Sequence, residues 1–146
     1  MQAIQTLKEL RENPYQDMDI DTDCIVSFEL IERDKLRRYI ENPYLYSRVQ
    51  HSENMQLEQR GITIVKSDLP AELLKEQIIW EKKNNNRYIT FLMKEEITEG
   101  FPNDLQRQLQ MIQQKYQTGA VISRFLVCAQ EEGKIYDFYK TFVEII

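Results

Sequence analysis

The chain has 146 residues, 42% of them hydrophobic and 29% charged, and 24 acidic against 19 basic side chains give a net charge of −5. That size and balance predict one compact domain over residues 1–146 and argue against a disordered tail or a surface that is basic throughout. Nothing approaches the ~20 apolar residues of a membrane span, the longest apolar run being residues 125–129, and the N-terminus lacks the basic-then-apolar start of a signal peptide.

Residues 2–12 place Ile4, Leu7 and Leu10 at helical spacing, and Asn13-Pro14 ends that helix because proline disfavours helix in the residue before it. An acidic, loop-like stretch, 16–23, leads to a first strand over 24–30, rich in β-formers. A second helix is predicted over 32–41, stopped by Asn42-Pro43. Residues 45–60 are polar, hold the single histidine, His51, and read as a long connection. Gly61 introduces a short strand over 62–65, and Ser67-Asp68-Leu69-Pro70 starts a helix running to about residue 83, with Leu74 and Ile78 four apart.

After a turn at Asn84-Asn85-Asn86, residues 88–93 form a strand with Ile89, Phe91 and Met93 on one face. A helix over 103–117 follows, with Leu105, Leu109, Ile112 and Tyr116 on one side and Gly119 as its cap. Residues 120–129 read as a strand covered on both faces. The end, 135–146, fits a helical stripe and a strand equally, and Glu131-Glu132-Gly133-Lys134 could turn a hairpin into it. Four or five strands alternating with helices predict an α+β fold, a mixed sheet with helices packed on it. A three-layer α/β arrangement is the alternative.

The chemistry is bounded mainly by exclusion. Four widely separated glycines (61, 100, 119 and 133) form neither a phosphate loop nor a dinucleotide fingerprint. One histidine and no Cys-x-x-Cys argue against zinc, and no Gly-x-Ser-x-Gly elbow is present. Asp17, Asp19, Asp21 and Asp23 alternate, but Thr22 and Phe28 stand where a calcium loop counted from Asp17 needs glycine and glutamate. The two cysteines, Cys24 and Cys128, lie in apolar runs and predict buried thiols in a reducing cytoplasm.

No cofactor or metal is expected. The leading expectation is a non-enzymatic binding or regulatory protein whose partner is another protein, with self-association a further route and no membrane role. The first alternative is a small enzyme pairing His51 with a cysteine or with carboxylates. The second uses the segment 33–48, where Arg37, Arg38 and Arg48 mix with Tyr44 and Tyr46, to bind a nucleic acid or an anionic ligand. The acidic net charge disfavours nucleic acid.

Overall fold

The computed structural model describes residues 2–27, 46–64, 78–83 and 87–146. The described elements are, in chain order, α1 (Gln2–Glu12), β1 (Gln16–Asp17), β2 (Cys24–Ser27), β3 (Tyr46–His51), β4 (Asn54–Ile64), β5 (Ile78–Glu81), β6 (Arg87–Glu96), α2 (Leu105–Gln113), β7 (Thr118–Glu131) and β8 (Lys134–Ile145). All eight strands join one sheet in the order β1-β6-β8-β7-β3-β4-β2-β5, and every described pairing is antiparallel. The expected four- or five-stranded mixed α+β sheet is therefore corrected to a predominantly β fold. The three-layer α/β alternative falls too, for want of any parallel pair among the described strands.

Three misread segments account for the difference, the shortest being β1, Gln16–Asp17, inside the stretch expected to be an acidic loop. Residues 45–60 contain not a long loop but β3, a tight turn and most of β4, with His51 opposite Asn54. Their hairpin has no Gly or Pro to announce it, and its polar side chains hide the strand alternation. Residues 78–81, expected at the end of a helix, form β5 against β2. The Leu74–Ile78 spacing is as compatible with unrelated elements as with one helix; Leu74 itself, like the predicted helix over 32–41, lies outside the described residues.

Several shorter readings change in detail. Gly61 sits inside β4, opposite Ser27 and Ser47. Gly119 belongs to β7 and does not cap α2, whose C-cap is Gln114.

The centre of the sheet is the β7–β8 hairpin. Glu132 and Gly133 both take positive φ, 51° and 78°, the two left-handed positions of a type I′ turn, whose twist matches the flanking strands. This settles residues 135–146 as strand. β6 then pairs with β8 in register from Arg87↔Ile145 to Glu96↔Tyr136.

Alternation along these strands gives the sheet two covered faces. On the outer face Ile89, Phe91 and Met93 pack with Val121, Tyr139 and Val143 beneath Leu105, Leu109 and Ile112 of α2. The buried Gln108 anchors that helix by donating from Nε2 to the Leu92 carbonyl at 2.9 Å. The inner face gathers Ile20, Ile25, Val49, Trp80, Tyr88, Ile122 and Phe142.

The sheet coils around this inner face. Trp80, on the last strand, meets Tyr88, on the strand second from the opposite edge, with ring centroids 6.5 Å apart and nearly perpendicular. Lys82 closes the same gap by donating to Asp19 (3.0 Å) and to the Ile20 carbonyl (3.1 Å). The acidic stretch takes part in the closure, since Asp17 pairs with Arg87, Asp19 with Lys82 and Asp21 with Arg124. No helix among the described residues is long and apolar enough to cross a membrane.

Candidate functional site

Of the residues singled out in the sequence, Tyr46 and Arg48 stand on β3, and His51 at its end. Arg37, Arg38 and Tyr44 lie outside the described residues. Arg48 is not the exposed phosphate contact its segment suggested. β3 alternates, so Ser47 and Val49 face inward while Arg48 projects onto the outer face with its side chain 11% exposed. There it forms a two-pronged pair with Glu95, Nη1 donating to Oε2 at 2.5 Å and Nη2 to Oε1 at 2.7 Å. Nη2 also donates to the Tyr139 hydroxyl at 2.7 Å, and the guanidinium carbon lies 4.6 Å from that ring's centre.

Two buried charges held in this bidentate geometry compensate each other's loss of water. Burial by itself would depress the Arg48 guanidinium, but the hydrogen bonds it donates to Glu95, with the charges around it, more than reverse this and hold it above the ordinary arginine range. Burial raises the Tyr139 phenol, with the Arg48 charge opposing.

Glu95 carries the pair into a loop. Asn103 Nδ2 donates to Glu95 Oε2 at 3.2 Å, and the two residues form an isolated antiparallel bridge. Asn103 Oδ1 accepts the Leu105 amide, which joins the bridge to the start of α2. The loop between is short and stiff, because the Glu96 amide donates to the Pro102 carbonyl and the Phe101 amide to the Thr98 carbonyl.

The brace supports an apolar tip. Ile97, Phe101 and Ile135 are exposed large hydrophobic residues, Phe101 at 57%. The Ile97 amide donates to the Ile135 carbonyl, which sets the loop beside the β7–β8 turn. Phe101 also holds a positive φ of 44°, directly after Gly100 at 80°. A bulky residue rarely occupies that region, which costs on the order of 1–2 kcal/mol, and here no burial of the ring offsets the cost. Around the tip the segments 95–104 and 131–135 carry six acidic residues against one lysine.

His51 meets neither cysteine. It pairs with Ala120, eight residues before Cys128 on β7, or roughly 26 Å along the strand at about 3.3 Å per residue. Cys24 pairs with Ile64, at the far end of β4 from Asn54, the residue opposite His51. His51 is exposed, and its Nδ1 accepts the Glu53 amide at 3.4 Å. Loss of solvent, then the contact with Asp137, push the Cys128 thiol up, away from a reactive thiolate. Among the described residues no three His, Cys, Asp or Glu side chains gather as a metal site.

A second cationic cluster lies on the inner face. Arg124 and Lys140 stand directly opposite each other across β7 and β8. Their charges lie 5.6 and 5.3 Å from the centre of the Phe142 ring. Asp21 Oδ1 forms an ion pair with Arg124 Nη2 at 2.6 Å, while Arg124 Nε stays buried without a hydrogen-bond partner. Burial would raise Asp21, but the Arg124 guanidinium more than reverses that and holds its carboxyl below the usual range. Burial also lowers Lys140, with Arg124 adding to the effect and Asp21 and Glu9 opposing it.

Sequence reasoning found Arg48 and Tyr46 but missed Glu95, Asn103 and Tyr139, which stand 47 to 91 residues from Arg48 or bind it only through Glu95. For Arg124 and Lys140 a signal did exist: each is a lone cation within an otherwise apolar, aromatic-rich strand. Compared with known proteins, the chain matches no protein-family model, no curated protein and no solved structure.

Proposed function

We propose that the protein is a non-enzymatic binding module of the cytoplasm that docks another protein on its acidic, apolar tip. The observation that carries this reading is Phe101, an exposed aromatic ring on strained backbone. Strain without a packing return is characteristic of functional positions, and an aromatic anchor ringed by polar groups is how protein interfaces concentrate their affinity. The Arg48–Glu95–Asn103 brace supplies rigidity, so the tip is ordered before it binds. The excess of acid around it selects a partner surface with an apolar pocket flanked by Lys or Arg. Cys24 and Cys128, not joined in a disulfide, fit a reducing compartment.

The test is photocrosslinking in cells from a benzophenone amino acid at position 101. A dominant protein adduct is expected, lost on adding Ile135→Asp and weakened by salt. Position 57 is the control, since Leu57 is equally exposed on the β3–β4 hairpin. The same adducts from both positions would remove the proposal.

A further inference from the structure

We propose that the inner face of the coiled sheet binds the oxyanion group of a small ligand, a carboxylate or a phosphate, between Arg124 and Lys140, beside the Thr90 hydroxyl. This is independent of the tip and of any protein partner.

The first ground is an unbalanced placement of charge. Like charges directly opposite on neighbouring strands repel, and here both cations are drawn onto one face of a covered sheet. Arg124 has its side chain only 16% exposed, while Asp21, its ion-pair partner among the described residues, is 66% exposed. Glu9 of α1 is the other acid whose charge is felt at Lys140. Neither acid meets the hydrogen-bonding capacity of the guanidinium. Elsewhere on this sheet, where arginine is buried for structure, Glu95 meets it with two oxygens.

The second ground is that unsatisfied polar atoms concentrate at this place. Buried side-chain polar atoms find partners in the great majority of cases. The described exceptions are Arg48 Nε, Tyr88 Oη, Thr90 Oγ1, Arg124 Nε and Arg124 Nη2. Arg48 Nε still has Glu58 Oε1 at 3.4 Å. The other four lie on the inner face, by the alternation that puts Tyr88, Ile122 and Phe142 there, and of these Arg124 Nη2 likewise keeps a charge partner, Asp21 Oδ1 at 2.6 Å.

They are also neighbours. Thr90 is directly opposite Phe142, the residue two beyond Lys140 on β8, and Phe142 carries both cations over its ring. Thr90 and Tyr88 are themselves fully buried. The unpartnered Nε–H of Arg124, its Nη2 shared with a solvent-exposed acid, the Lys140 ammonium and the unpartnered Thr90 hydroxyl suit a group with two or three anionic oxygens. The surrounding Phe142, Ile122 and Val49 suit an apolar body behind that group.

The test is calorimetric titration of the full chain with inorganic phosphate, octanoate and octyl phosphate, repeated with Arg124→Met, Lys140→Met and Thr90→Val. Binding of at least one probe is expected, falling with added salt. It should weaken by about tenfold or more in Arg124→Met, the scale of a lost charge-assisted hydrogen bond, and by less in Thr90→Val. Tighter binding of the two alkyl probes than of phosphate assigns the site to an amphiphile, and the reverse order to a free oxyanion. Should Arg124→Met unfold, the Nε–H resonance of Arg124 in the unsubstituted protein gives the same answer, by shifting as the probe saturates. No binding of any probe to the folded protein, or equal binding by Arg124→Met and the unsubstituted chain, would overturn the proposal.

Discussion

The two faces of one sheet treat a buried arginine in opposite ways. On the outer face Arg48 meets Glu95 with two hydrogen bonds and Tyr139 with a third, and the network continues to Asn103. On the inner face Arg124 has an aromatic ring beneath it, a lysine opposite it and one solvent-exposed acid alongside. The residue type is the same, but only the first arginine meets a carboxylate with two hydrogen bonds. A satisfied network holds a structure in place, whereas donors left over in a water-poor setting are available to something else. The difference separates a brace from a candidate ligand site without reference to any motif.

The largest effect should come from breaking the brace. Glu95→Ala leaves the Arg48 charge buried and unpaired, and should cost about 3–5 kcal/mol, read as a lowered midpoint in urea. The double variant Arg48→Met/Glu95→Leu removes both charges and should recover most of that loss. Failure to recover would mean that the network carries more than mutual compensation.

The coil around the inner face can be broken separately. A Cβ at position 61 would run into the Val26 carbonyl oxygen and press on Ile25 Cγ2 and Ile79 Cδ1, whereas one at Gly133 meets nothing within 4 Å. Gly61→Ala should therefore overpack the β2–β4–β5 region, at about 1–3 kcal/mol. Gly133→Ala costs only the left-handed backbone, about 1 kcal/mol. Thermal midpoints of the two variants, compared directly, show whether close packing matters more than turn conformation.

Arg124→Met, in buffer without phosphate or carboxylate, sharpens the comparison further. It removes one ion pair whose acid is solvent-exposed and one like-charge contact, two effects of opposite sign, so stability should change by no more than about 1 kcal/mol in either direction. A loss as large as that of Glu95→Ala would make the inner arginine a second brace.

The smallest effect is confined to alkaline pH. Burial, reinforced by Glu144 and Asp19, pushes the Tyr88 phenol up to about 12, and the Tyr139 phenol is raised as well. A folded value above the unfolded one, about 10, means that this stabilisation is complete below about pH 10 and is lost as the pH rises through the folded values. Absorbance titration of the tyrosines should show at least two ionising late and together with unfolding. Release of all eight near pH 10 while the chain stays folded would contradict the burial of both rings.

Local pattern determined a good part of this molecule. Apolar spacing located α1 and α2 and alternation placed Ile89, Phe91 and Met93 on one face, while the Glu-Glu-Gly-Lys turn allowed a hairpin but left residues 135–146 open between helix and strand. These features depend on neighbours in the chain, and neighbours are what a sequence displays. The β3–β4 hairpin was illegible because its polar side chains are satisfied across space: Arg48 reads as a surface cation until Glu95, 47 residues away, is beside it. The same reason makes the candidate sites tertiary facts. Whether an arginine is matched or left wanting depends on which acids the folded sheet brings within about 3 Å of it. Only the coiling of eight strands decided that Arg48 meets both oxygens of a carboxylate while Arg124 meets one oxygen of Asp21.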